Sequence, residues 1–322
     1  MSKNDDAYTA FVTHKGLHQF KVMPFGLVNA LATFNRLMRK LLYGTVYLDN
    51  YVDDVLAHTP GWQGHLTAMR DFLTRVRDAH LTLRPRICAV GFYYVSYLGH
   101  CVGNSTLEPK ADMVSKILEA PKPTDKKQLR SFLGLVGYYR KFIPNFATIA
   151  VPLTDLTRKG TPNQLHWDEP QELAFKSLKA HIANPPVLHL PDFNKELVLL
   201  TDACNEGIGA ILLQEDSGVK HPIAFISKKL LRRERNYSTI ENKCLAIVWA
   251  VQKLHNFLYG KQFILETDHQ PLQYLGKAQF QNGRLMRWAL TLQPYRFVIR
   301  ANKGGENVGA DFLSRHTTDS DD

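Results

Sequence analysis

Apolar and polar positions alternate with different periods along the chain. Glu196-Leu-Val-Leu-Leu-Thr-Asp is an almost unbroken apolar run, the pattern of a buried strand. Gly207-Ile-Gly-Ala-Ile-Leu-Leu-Gln and Pro222-Ile-Ala-Phe-Ile-Ser read as a second and a third strand. Ile240 to Leu258 carries an apolar stripe at helical spacing, Gln262-Phe-Ile-Leu-Glu-Thr-Asp reads as a fourth strand, and a helical stretch begins near Arg284. Tyr295-Arg-Phe-Val-Ile-Arg follows as a strand, and a final helix lies near Asp311. Three strands, a helix, a strand, helices, a strand and a last helix predict a mixed α/β domain.

Upstream the pattern is helical. Asp125 to Leu135 reads as an amphipathic helix beginning near Thr124, a candidate N-cap, with Pro121, Pro123 and Pro144 as punctuation. Residues 160–195 are connector-like, with Pro162, Pro170, Pro185, Pro186 and Pro191 around one helix, Gln171 to Ile182. Further upstream, Val46-Tyr-Leu and Val55-Leu-Ala form a β-type run that encloses Asp53 and Asp54. The divisions expected are residues 1–103, 104–195 and 196–316, with a disordered polar tail at 317–322.

The 322 residues, 44% hydrophobic and 22% charged, suffice for two compact domains. No stretch reaches the ~20 apolar residues of a membrane span, and the polar, acidic segment Met1 to Ala10 is not a signal peptide. A net charge of +10 points to a polyanionic partner, most often nucleic acid. Cys88, Cys101, Cys204 and Cys244 are too far apart for a zinc pattern or a disulfide framework, so reduced core thiols in an intracellular protein, cytoplasmic or nuclear, are expected.

Two groups of carboxylates carry candidate chemistry. Adjacent Asp53 and Asp54 inside an apolar run are costly unless hydrogen bonds or a cation satisfy them. A tight hairpin between two buried strands would present them to Mg²⁺, and a second metal would suit the pair to phosphoryl transfer; a solvated turn is the plain alternative. Asp202 and Asp268 each follow a Thr at a strand end, and Asp311 opens the last helix. Converging on one edge, they would form a metal site for phosphodiester hydrolysis; solvated strand-end residues are again the alternative.

The local strings decide between these readings. Tyr51-Val-Asp-Asp-Val-Leu resembles the catalytic hairpin of reverse transcriptases. Thr9-Ala-Phe-Val-Thr-His and Val22-Met-Pro-Phe-Gly-Leu-Val-Asn-Ala resemble the segment before that hairpin in Ty3/gypsy-type elements. Tyr97-Leu-Gly-His resembles their primer-contacting hairpin, and Phe132-Leu-Gly-Leu-Val-Gly-Tyr-Tyr-Arg-Lys-Phe-Ile their thumb. Thr201-Asp-Ala-Cys-Asn-Glu-Gly, Tyr237-Ser-Thr-Ile-Glu, Thr267-Asp-His-Gln-Pro-Leu and Ala310-Asp-Phe-Leu-Ser-Arg resemble the ribonuclease H domain of the same polyproteins. The resemblance implies α/β and α+β folds: a truncated reverse-transcriptase palm, a helical thumb and connection, and an RNase H-like mixed sheet with flanking helices.

It also implies residue roles. Asp53 and Asp54 would bind the polymerase metal, and Asp202, Asp268 and Asp311 the RNase H metal, Mg²⁺ or Mn²⁺. Phe25 and Gly26 would lie near template and nucleotide. Lys110, Lys126, Lys127 and Arg130, and the cluster Lys228, Lys229, Arg232 and Arg233, would face the backbone of a duplex or an RNA–DNA hybrid, where cations bind without regard to sequence. The implied partner is nucleic acid, not a membrane, together with an upstream polymerase segment or another polyprotein chain.

Departures from the family pattern set further expectations. Its first polymerase Asp falls upstream of Thr9, where this sequence has only eight residues, among them Asp5 and Asp6. Leu31 stands where Pro is usual and Ile87 where Lys is usual. Primer extension by this chain alone is therefore not expected. The family's RNase H Glu falls at Lys243. Glu241 lies two residues away, a turn of ~200° along a helix, and should point elsewhere. An ammonium in place of a carboxylate changes the local charge by two units, and at ~4 Å and an intermediate dielectric such a pair is worth up to several kcal/mol. Lys243 should compete with Mg²⁺ for Asp202 and Asp268, reducing cleavage while sparing the fold.

Overall fold

The computed structural model describes residues 6–24, 26–267 and 283–301. The chain divides into two compact units, one ending at Tyr97 and one beginning at Leu98. The tail at 317–322 and the expected last helix lie outside the described residues.

In the first unit, β1 (Phe11–Thr13) and β2 (Gly16–His18) form a short hairpin. Helix α1 (Ala30–Leu41) leads to strands β3 (Leu48–Tyr51) and β4 (Asp54–Ala57), followed by α2 (Trp62–Asp78) and β5 (Tyr94–Tyr97). Met38, Leu42, Leu48, Phe72 and Val76 make its core. The two strands around Asp53 and Asp54 are half-buried rather than buried as expected. They form a two-stranded ladder, and Leu48 points into the core while Asp49 and Tyr51 stand in solvent.

The second unit opens with β6 (His100–Gly103) and β7 (Thr106–Pro109), then α3 (Ala111–Glu119), α4 (Lys126–Tyr138), the short helices α5 (Phe146–Ile149) and α6 (Val151–Leu156), α7 (Glu169–Ala183) and β8 (Leu188–His189), which pairs with β7. The N-cap of α4 is Asp125, not Thr124. The Asp125 carboxylate accepts from Gln128 N–H at 2.9 Å, whereas Thr124 N–H donates to Gln128 Oε1. Helix α7 starts two residues before the expected Gln171 because Asp168 and Gln171 form a reciprocal cap, with Pro170 tolerated in the first turn. Leu129, Phe132, Val136, Phe142, Leu153, Phe175, Leu178 and Ile182 pack these helices into one core.

Five strands then form a mixed sheet: β9 (Leu197–Ala203), β10 (Gly207–Asp216), β11 (Val219–Lys229), β12 (Gln262–Thr267) and β13 (Arg296–Ala301), in the order β11-β10-β9-β12-β13. Helices α8 (Thr239–Lys253), α9 (His255–Leu258) and α10 (Gly283–Leu292) complete the described part. Strands β9, β10 and β11 are antiparallel, while β12 runs parallel to β9 and β13. β9 is central and buried along six of its seven positions, which is why its sequence reads as an apolar run rather than an alternation. Leu197, Leu199, Leu212, Phe263 and Leu265 face Ile247, Val251 and Leu254, while Val198, Leu200, Ile211 and Ile264 occupy the other face. The expected single helix to Leu258 breaks at Leu254, whose ψ of 19° turns the chain so that the His255 ring meets the Tyr295 hydroxyl at 2.7 Å. Trp249 and Trp288 pack against this core.

Candidate nuclease and polymerase carboxylates

Between β3 and β4 the chain turns through Val52 and Asp53. Val52 has φ of 59°, a conformation that costs a β-branched residue about 1–3 kcal/mol. Asn50 Nδ2 donates to the Val52 carbonyl and holds the turn. The geometry leaves Asp53 and Asp54 exposed at its tip, neither with a cation partner among the described residues. Burial, and then the nearby Asp54 and Asp49 charges, push the Tyr97 phenol up. Two unpaired, solvated carboxylates fit a hard divalent cation. Gly26 is exposed at φ of 92°; Phe25 lies outside the described residues.

The second site is in the opposite electrostatic state. Asp202, at the end of β9, is 5% exposed, and Lys243, one turn into α8, is 8% exposed. The Lys243 ammonium donates to Asp202 Oδ1 at 2.5 Å. Asp202 Oδ2 is buried without a hydrogen-bond partner among the described residues, and Asp202 lines a small cavity with Asn145, Thr148, Cys204 and Gly209. Helix α5 reaches this cavity because β10 has no side chain at Gly207: a Cβ there would lie 2.9 Å from Thr148 Oγ1.

Glu241 does not take the place of a carboxylate at 243. It accepts from Ser238 N–H at 2.9 Å in the capping box of α8 and from Arg284 Nη1 at 2.7 Å. The described part of this site therefore does not fit a divalent ion: an ammonium already holds one Asp202 oxygen. Asp268 and Asp311 lie outside them.

The candidate phosphate-binding cations fall into two sets. Lys127, Arg232 and Arg233 are exposed. The others are engaged: Lys126 Nζ donates to the carbonyls of Thr161 (2.6 Å) and Arg158 (2.9 Å), and Arg130 to that of Thr157 (3.0 Å). Lys110 lies 3.3 Å from Asp112, Lys228 2.9 Å from Glu234, and Lys229 2.7 Å from Asp155. The four cysteines are free as expected, but Cys88 is exposed and Cys101 and Cys204 half-buried, so Cys244 is the core thiol among them.

Sequence reasoning missed what holds the turn before β6. Tyr138 and Tyr139 hydroxyls donate to the carbonyls of Leu98 (2.5 Å) and Gly99 (2.7 Å), and the buried His100 ring hydrogen-bonds Leu98 O at 2.7 Å through Nδ1. Nothing local signals this, because the partners are 40 residues apart.

Residues 1–102 match the family described as reverse transcriptase (RNA-dependent DNA polymerase), and residues 192–295 the RNase H-like domain found in reverse transcriptase. The chain is 42% identical over 317 residues to the retrovirus-related Pol polyprotein from transposon 297 of Drosophila melanogaster, covering 98% of this chain and 30% of that protein. It is 36% identical to the Pol polyprotein from transposon gypsy of the same organism (98% and 31%), and 31% to the transposon Tf2-3 polyprotein of Schizosaccharomyces pombe (97% and 24%). It thus spans a third or less of these curated relatives. The foamy viral protease-reverse transcriptase dRH in complex with double-stranded DNA superposes with a TM-score of 0.84 at 22% identity, over 94% of this chain and 54% of that one. The same viral protein with an RNA/DNA hybrid gives 0.81 at 21%, over 100% and 44%. These likenesses establish the mixed α/β fold.

Proposed function

Because this chain belongs to the reverse transcriptase–ribonuclease H region of Ty3/gypsy-type retrotransposon Pol polyproteins, we propose that it binds an RNA–DNA hybrid or duplex and cleaves the RNA strand poorly or not at all. Both families generally depend on divalent metals. The observation that carries the reading is the buried ion pair between Lys243 and Asp202. With Oδ1 held at 2.5 Å, a metal would have to displace an ammonium that is itself buried, and would meet its positive charge. Lys243 thus does for Asp202 what a metal otherwise would: it neutralises the carboxylate and keeps the strand end in place.

Binding rests on other features. The +10 charge and the exposed Lys127, Arg232 and Arg233 suit a phosphate backbone, and the solved neighbours carry double-stranded DNA or a hybrid. Asp53 and Asp54 are the polymerase carboxylates of this proposal, and residues 104–195 and 196–316 its thumb–connection and RNase H-like parts; an intracellular setting goes with both. Among the described residues no helix is long and apolar enough to cross a membrane.

The test is cleavage of a labelled RNA–DNA hybrid with Mg²⁺ or Mn²⁺ by the chain as it stands and by Lys243→Glu, alongside hybrid affinity across a salt series. Hybrid binding with cleavage only after the substitution is the expected result. Efficient cleavage by the unsubstituted chain refutes the proposed blockade. Absence of salt-dependent hybrid binding overturns the binding role and leaves a decayed relic.

A further inference from the structure

The first unit carries a surface that none of the assigned carboxylates or cations uses. Trp62, Phe92, Tyr93 and Tyr94 are 62%, 68%, 89% and 48% exposed, and Ile87 and Val90 beside them are exposed as well. Trp62 and the segment Phe92–Tyr94 are brought side by side through Gly91. Trp62, the first residue of α2, lies against Gly91, where φ is +74° and a Cβ would sit 3.0 Å from the indole. Its other neighbour is His65, stacked at 5.7 Å between centroids. The segment Phe92 to Tyr94 therefore leaves from the edge of the Trp62 ring.

Charge identifies the occupant. From Ala79 to Tyr97 there is no Asp or Glu, while Arg84 and Arg86 are exposed without a carboxylate partner among the described residues. A protein docked here would bury the two guanidiniums uncompensated or need acids opposite them; a polyanion supplies that charge along its length. Flat exposed rings, preceded in the chain by two cations with no acid between, match the chemistry of single strands, whose unpaired bases stack on aromatic faces whatever their sequence. A duplex offers no free base faces.

We propose that Trp62, Phe92, Tyr93 and Tyr94, with Arg84 and Arg86, form a stacking platform for single-stranded nucleic acid. It goes beyond the hybrid reading above: it concerns the first unit and an unpaired strand.

The experiment titrates the full chain, by fluorescence anisotropy, against a labelled single-stranded oligonucleotide and, separately, an RNA–DNA hybrid. Tyr93→Ala and Phe92→Ala should each weaken single-strand binding about ten-fold, the loss of one stacked base, while Tyr93→Phe retains it. Arg86→Ala should lower the salt dependence. Hybrid affinity should stay within two-fold throughout, so loss of hybrid binding by the unsubstituted chain counts against the earlier reading and not this one. The proposal is overturned if the unsubstituted chain ignores single strands, if neither Ala variant changes their affinity, or if the variants instead shift the sedimentation coefficient, which would make the surface an interface between copies of the chain.

Discussion

The guanidinium of Arg140 donates to the backbone carbonyl of Ser227 at 2.5 Å, and Ser227 Oγ in turn accepts from Ala147 N–H at 2.9 Å. One residue of β11 is thereby clamped by two points of the helical region, and Phe225, two residues earlier, packs against the cores on both sides. Arg140→Ala removes a charged donor from a part-buried acceptor, at a cost of roughly 1.5–3 kcal/mol. Urea unfolding of the variant should shift to lower midpoint with one transition retained for the second unit. Two separated transitions in the unsubstituted chain would show that the cores are independent.

The Lys243–Asp202 pair makes a sharper prediction. Lys243→Met leaves a buried carboxylate uncompensated, which typically costs about 3–5 kcal/mol. Adding Asp202→Asn to Lys243→Met removes the stranded charge and should recover most of that loss. A double variant no more stable than Lys243→Met alone would mean the two groups are not coupled.

These two contacts mark the limit of what the sequence shows. Strands β9, β10 and β12 are legible because each is built on a short apolar run bounded by polar residues. That Glu241 would miss Asp202 follows from helical spacing alone. The engagement of Lys126 with Thr161, and of Lys229 with Asp155, does not: each partner is 35 or more residues away, and local pattern carries no record of it. The half-burial of β3 and β4 was hidden for a related reason. An apolar run reports what a strand can bury, not how many faces are covered.

Thiol chemistry separates the cysteines. Burial, and then the Glu241 charge, push the Cys244 thiol up to about 12. At pH 7–8 it should resist alkylation in the native state, while exposed Cys88 reacts first. Mass mapping after brief iodoacetamide treatment checks the order; early labelling of Cys244 would contradict its packing.

His100 predicts a pH dependence. Burial lowers its pKa, the Lys141 charge lowers it further, and the hydrogen bond to Leu98 O opposes them. Tyr138, Tyr139 and Phe142 supply the rest of its surroundings. Above the ordinary imidazole value of about 6.5 the residue is neutral in folded and unfolded chains alike and contributes no pH dependence. Below it the unfolded chain takes up the proton first, so stability falls as pH drops toward the lowered value. His100→Gln should flatten the stability profile between pH 6.5 and the acid side, measured by urea midpoints; an unchanged slope would assign the loss to other groups.

Lysine and glutamate codons differ in their first base alone. The ammonium at the start of α8 is thus one purine transition from the carboxylate that the family pattern places there. Lys243 forms an ion pair with Asp202 instead of disturbing the sheet, whereas a carboxylate in its place would be buried against Asp202 and would need a counter-charge there.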